Sequence, residues 1–272
     1  MPLIGRRMPR RLTTRSGRML QERNGALSPQ WEVFWKPRKR TPAQSNVNQF
    51  LAGLSNLDPS TIGETIKNFH NISFRLKQFD SALLEANTKR LKNAADDILW
   101  VNARRDEAIG WYNKITSSES ELRVAHYDTK LSNILFNKND EAIAVIDFDT
   151  LMPGYHAFDF GDSVRTICSS TKEDDTDLAA TYFDIDLLKS FSHGFVGALK
   201  HIISENELNT FKDAVSYMPF IMGLRMLTDY LNNDTYYATK YEQHNLDRCR
   251  NQFKLVRSAQ QLSTEIINII LK

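Results

Sequence analysis

Residues 123–165 read RVAHYDTKLSNILFNKNDEAIAVIDFDTLMPGYHAFDFGDSVR, and this stretch decides the fold. A short apolar run from Leu122 leads into a loop that holds His126, Asp128 and Asn133. ILF (134–136), the turn-forming NKND (137–140) and the apolar AIAVI (142–146) then read as a hairpin of two strands. Asp147 ends the second strand, and further carboxylates follow at Asp149, Asp159 and Asp162. Hairpin strands run antiparallel, so the open ends of the hairpin return to one place. Asn133 and Asp147 stand at those two ends, next to Asp128.

Such a set suits phosphoryl transfer. That chemistry needs a positioned hydroxyl, a carboxylate to receive its proton, and cations to offset charge on the phosphate oxygens. Asp128 on its loop fits the proton acceptor. Asn133 offers a neutral oxygen and Asp147 an anionic one, and Mg²⁺ takes a few such oxygens together with phosphate and water. His126 reads as structural, bonding backbone to hold the loop. Lys130 reads either as a contact to the transferring phosphate or as a solvated surface side chain. Asp159, in AFDFGDSVR, reads as a helix cap or as a support beneath the catalytic loop, the support being preferred. Asp149 and Asp162 read as site carboxylates or, equally, as turn formers and caps.

Outward from this stretch the pattern is helical. Val47, Phe50, Leu51 and Leu54 mark an amphipathic stripe. Asp58-Pro59 reads as a helix start. Longer helices are expected over 73–92 and 94–117, and again over 157–168, 185–203, 205–232 and 244–271. Pro219 is expected to kink or start a helix within the third of these. The fold class is therefore α+β: a mostly helical body around a small β-hairpin insert.

The chain has 272 residues, 41% of them hydrophobic and 25% charged, which suits a soluble globular protein. It has no apolar run of about eighteen residues, so no membrane span is expected. Cys168 and Cys249 lie far apart, and reduced thiols in a cytoplasmic protein are the expectation. Residues 1–40 hold eleven Lys and Arg against Glu22 and Glu32, a net +9 in a chain whose total is +2. This basic tip has no interleaved aromatics and no nucleic-acid-binding module, so no nucleic-acid partner is expected. Residues 1–45 read as a poorly ordered basic segment, and 46–272 as the functional domain.

HYDTKLSNILF followed by VIDFDTLMPGYHAFDFGDSVR resembles the aminoglycoside phosphotransferase and choline kinase superfamily, and most of all its N-acetylhexosamine 1-kinase branch. ETIKNFHNISFRLKQF and RMLTDYLNNDTYYATKYEQHNLDRCRNQFKLV extend the likeness to about residues 46–262. The resemblance implies a protein-kinase-like C-terminal lobe, with Asp128 as base, Asn133 and Asp147 as Mg²⁺ ligands, and ATP as co-substrate. Tyr127 and Ser132 stand where that branch has Asn. It also implies that the RMLTDYL helix and the HNLDR segment face the acceptor, so that Arg225, Asp229 and Tyr230 contact it. Arg225 and Asp229 are equally placed for an internal salt bridge. Tyr236, Tyr237 and Tyr241 read as ring-stacking or packing residues, Phe69 and His70 as packing, and Glu173–Asp177 as a solvated loop.

Family members carry a full small lobe, with a glycine loop, ahead of position 46. Gly5, Gly17 and Gly25 make no such motif, so the small lobe is expected to be truncated or degenerate, and nucleotide-binding residues stay unassigned. The exposed apolar surface this would leave predicts self-association. Two functions follow as expectations: an ATP- and Mg²⁺-dependent kinase for a small-molecule hydroxyl, the anomeric one of an N-acetylhexosamine, or an inactive lobe that binds sugar.

Overall fold

The computed structural model describes Phe50, residues 52–138 and residues 142–272. The expected basic segment 1–45 lies outside the described residues. Of the stripe at 47–54, Phe50 and Leu54 are described as helical, and Leu54 is buried.

Asp58 caps a single 3-10 turn at Pro59–Thr61 rather than a longer helix. Asn71 then caps α1 (Ile72–Glu85) by accepting the amide of Phe74. Ile72, Leu76, Phe79 and Ala82 form its buried stripe. The helix expected over 73–92 divides at Ala86, whose backbone is extended, and Asn87 restarts it as α2 (Thr88–Asn93) by accepting the amide of Arg90. The helix expected over 94–117 divides into α3 (Ala95–Asn102) and α4 (Arg105–Ile115). The break falls at Arg104, whose guanidinium lies 4.4 Å over the Trp100 ring.

Four short strands make two antiparallel ribbons. They are β1 (Arg123–Ala125), β2 (Ile134–Phe136), β3 (Ala142–Val145) and β4 (Met152–Gly154). β2 pairs with β3 as the expected hairpin, with Ile134 opposite Val145. The pairing of β1 with β4, Arg123 opposite Gly154, is a feature beyond the expected strand, loop and hairpin. Glycine is required at 154, since a Cβ there would lie 1.9 Å from the Tyr127 ring. The hairpin leaves Leu135, Ile143, Ile146 and Phe148 exposed.

The remaining helices are α5 (His156–Ile167), α6 (Ile185–Leu199), α7 (Glu205–Leu231), α8 (His244–Gln261) and α9 (Ser263–Ile270). The helix expected over 244–271 turns at Leu262. Ser204 and Glu207 form a capping box at the start of α7. α7 is buried almost all round, the pattern of a central helix. It packs against α8, α5, α1 and α4, and runs through Pro219 unbroken. Gly161 on α5 lets that helix approach α7, for a Cβ there would sit 2.5 Å from the Ala214 carbonyl. Phe160 stacks on Phe211 at 4.8 Å in this core. Among the described residues no helix is long and apolar enough to cross a membrane.

Candidate active site

The loop after β1 is held from beneath by one buried carboxylate. Asp159, on the first turn of α5, accepts the amide of His126 at 2.9 Å and that of Tyr127 at 2.7 Å. Its own carbonyl accepts the Thr129 hydroxyl at 2.7 Å. Farther along α5, Ser163 donates to the Thr129 carbonyl and Thr166 accepts the Leu131 amide. Burial pushes Asp159 up to about 6, partly offset by those amides. The two amides it accepts favour its ionised form.

Tyr127 takes a left-handed φ of 65°, a conformation that a bulky residue keeps only when its surroundings over-determine it. Here Asp159 holds its amide, and His70 donates from Nε2 to its carbonyl at 3.0 Å. The two rings stack at 4.9 Å. Burial, with the nearby Arg225 charge, holds the His70 imidazole well below the usual histidine range. His126 ties this loop to the hairpin. Its Nδ1 faces the Asp128 amide at 3.3 Å, so Nε2 carries the proton and donates to the Ile146 carbonyl at 3.2 Å. Thr150 donates to the His126 carbonyl at 2.7 Å.

Asp128 is oriented by two donors on a single oxygen. Lys130 Nζ reaches Oδ2 at 2.5 Å and Asn133 Nδ2 reaches it at 2.8 Å. Oδ1 has no hydrogen-bond partner among the described residues, so one edge of the carboxylate is free. Asn133 spends its nitrogen on Asp128, and its side-chain oxygen is left for a cation. The Asn133 carbonyl accepts the Ile146 amide at 2.9 Å. That bond sets Asp147, the next residue, beside Asn133 at the open end of the hairpin. Asp147 is exposed, adopts a left-handed φ of 70°, and its carboxylate has no partner among the described residues. Neither aspartate belongs to a cluster of three or more His, Cys, Asp or Glu able to hold a metal alone among the described residues. One carboxylate and one amide oxygen instead match the habit of Mg²⁺, which takes a few protein oxygens and completes its shell with phosphate and water.

The structure separates the three residues expected to contact an acceptor. The Arg225–Asp229 salt bridge does not form. Asp229 accepts the amides of Tyr236 and Tyr237, at 2.8 and 2.9 Å, and the side chain of Asn245. Arg225 is buried, lies 4.7 Å over Phe69 and within 5.9 Å of the Tyr236 and Tyr237 rings, and has no carboxylate partner among the described residues. Phe69 in turn lies 6.3 Å from the Tyr127 ring, beside Asp128. Tyr230 is fully buried elsewhere, its hydroxyl accepting from Asn93 and its ring covered by Arg90. It is a packing residue and is not brought to Arg225. The expected solvated run is only partly so: Glu173 bonds Arg165 and Arg248, and Asp174 bonds Lys240. His70, Thr150 and Thr166 complete the loop from 57, 24 and 35 positions away. No local sequence signal marks them.

A family model described as the phosphotransferase enzyme family matches residues 44–191. The chain is similar to the solved ethanolamine kinase of Plasmodium vivax at 15% identity and a TM-score of 0.51, covering 77% of this chain and 58% of that one. It is also similar to the choline kinase from Cryptosporidium parvum at 12% identity and a TM-score of 0.45, covering 83% of this chain and 67% of that one. The first likeness, at its level of identity, is one of fold: a mostly helical, protein-kinase-like α+β arrangement. The chain spans 58% of the length of the Plasmodium vivax chain.

Proposed function

The chain belongs to the phosphotransferase enzyme family, and from that premise we propose that it transfers the γ-phosphoryl group of ATP to a hydroxyl of a small molecule, the anomeric hydroxyl of an N-acetylhexosamine. One observation carries this reading: both donors on Asp128 fall on Oδ2, leaving Oδ1 free, and one of those donors is Asn133, whose carbonyl is bonded by the residue before Asp147.

Asp128 Oδ1 receives the acceptor's proton as the hydroxyl oxygen bonds to phosphorus and the bond to ADP breaks. A carboxylate of ordinary basicity suffices when the transition state is loose. Lys130 and Asn133 fix the rotamer of Asp128, so that the free edge points where a hydroxyl can reach it. Asn133 and Asp147 would hold Mg²⁺, which when bound offsets charge on the phosphate oxygens. His126 and Asp159 act on position alone, holding the loop against the hairpin and against α5. The exposed apolar side of the hairpin, Leu135 and Ile146 included, gives a nucleotide base a surface beside Asp147.

The charge around Arg225 argues for an oxygen-rich acceptor. Burial, with the Arg225 charge second to it, brings Arg75 down to about 10. The nearest carboxylate along α7, Asp229, is consumed by three donors. Such a wall repels an ammonium group and suits hydroxyl or acetamido oxygens, with Phe69 and Tyr236 offering ring faces. The N-acetylhexosamine assignment also rests on the resemblance in the DTKLSN and IDFDTLMPG segments. ADP release by the purified chain, with Mg²⁺-ATP and N-acetylglucosamine, N-acetylgalactosamine, ethanolamine or no acceptor, tests it. Turnover is expected with an amino sugar. Turnover with ethanolamine alone would overturn the acceptor, and saturable sugar binding without any ADP would assign a binding role instead.

A further inference from the structure

We propose that Glu173 is a positioning residue for the acceptor wall, its carboxylate joining the helix beneath the catalytic loop to the loop that carries Tyr236 and Tyr237. The inference rests on the phosphotransferase reading, because the wall matters to function only where an acceptor meets it.

Glu173 links two arginines from different helices. Oε2 accepts Arg165 of α5 at 2.6 Å, and Oε1 accepts Arg248 of α8 through Nε at 3.0 Å and a terminal nitrogen at 2.5 Å. Arg165 is fully buried, and its Nε is held by Asp162 at 2.6 Å. The same helix carries Asp159, Ser163 and Thr166, the groups that hold the catalytic loop. On the other side Arg248 lies 5.1 Å over the Tyr237 ring and donates to Asn245, which donates to Asp229. Asp229 grips the two tyrosine amides. A single carboxylate thus connects the groups that place Asp128 with those that place the rings around Arg225.

Charge makes this link hard to replace. A carboxylate between two guanidiniums forms charge-assisted bonds on both oxygens, and an amide offers one oxygen and no charge. Without the anion, Arg165 stays buried with one partner, and Arg248 loses the anchor that sets it over Tyr237. Such supporting contacts hold a site's rings and donors to within a fraction of an ångström.

Hydrogen exchange and kinetics on the purified full chain, comparing wild type with Glu173→Gln, test the link. Exchange at the Tyr236 and Tyr237 amides is expected to speed up by about tenfold, with the core of α7 unchanged. With N-acetylglucosamine, the acceptor KM is expected to rise several-fold while kcat changes by less than about twofold. Arg248→Met, which leaves the Arg165–Glu173 pair in place, is expected to do the same and serves if Glu173→Gln does not fold. Unchanged exchange at both amides in the variants would overturn the proposal. So would faster exchange with an unmoved KM, which would leave Glu173 a stabilising contact only. A wild-type chain without acceptor-dependent turnover would sink the phosphotransferase reading instead, while exchange would still decide whether Glu173 anchors the loop.

Discussion

At the scale of the residue, two buried imidazoles are held towards their neutral form, His70 beneath Tyr127 and His156 at the start of α5. His156 bonds Ser55 at 2.6 Å, and burial brings it down to about 4; His70 is held low in the same direction. Between pH 6.5 and about 4 the unfolded chain binds a proton that the folded chain refuses at His156. Stability therefore falls as pH drops through that window. Asp159, raised by burial, acts in the opposite sense between about 4 and 6, so the histidine effect is best isolated as a difference. Urea unfolding of wild type and His156→Gln at pH 7 and pH 5 should show the wild-type advantage shrink by about 2 kcal/mol. An unchanged difference would show that His156 is not buried neutral. The closeness of Asn133 to Asp128 was legible because they share one short loop, and the return of the chain from Asn133 to Ile146 because a hairpin joins them. His70 was not, since its tie to Tyr127 spans 57 positions and hydrophobic periodicity carries no long-range pairing. Tyr230 shows the converse: five positions from Arg225 on one helix, it points to a different side and packs against α2.

At the scale of the element, the loop that carries Asp128 inherits its place from the contact of α5 with α7. Gly161 makes that contact close, with the Ala214 carbonyl and the Met218 side chain where a Cβ would go. Gly161→Ala is expected to destabilise the fold by about 1–3 kcal/mol through overpacking, read as a lower urea midpoint at unchanged m-value. A variant as stable as wild type would mean that the two helices are free to part. Helices were legible from their apolar spacing, and their breaks were not. Ala86, Arg104 and Leu262 end helices without proline or glycine, and at 86 and 104 the capping by Asn87 and the stacking of Arg104 on Trp100 accompany the break. β4 escaped because MPG is too short to show a strand period; its pairing with β1 shows only in three dimensions.

At the scale of the whole molecule, a helical body of ordinary composition carries one concentrated site. α7 is the axis to which the other parts are referred: α5 and α8 both pack on it, α5 holding the Asp128 loop and α8 bonding to the residue that grips the Tyr236 and Tyr237 amides. We propose Asp128 as the proton acceptor of a phosphoryl transfer. Its most direct test is steady-state ADP release with saturating Mg²⁺-ATP and N-acetylglucosamine, comparing wild type with Asp128→Asn, while nucleotide binding is followed by calorimetry. In the variant kcat is expected to fall by about 10²–10⁴-fold with nucleotide affinity retained; equal turnover by the two proteins would rule Asp128 out as the base.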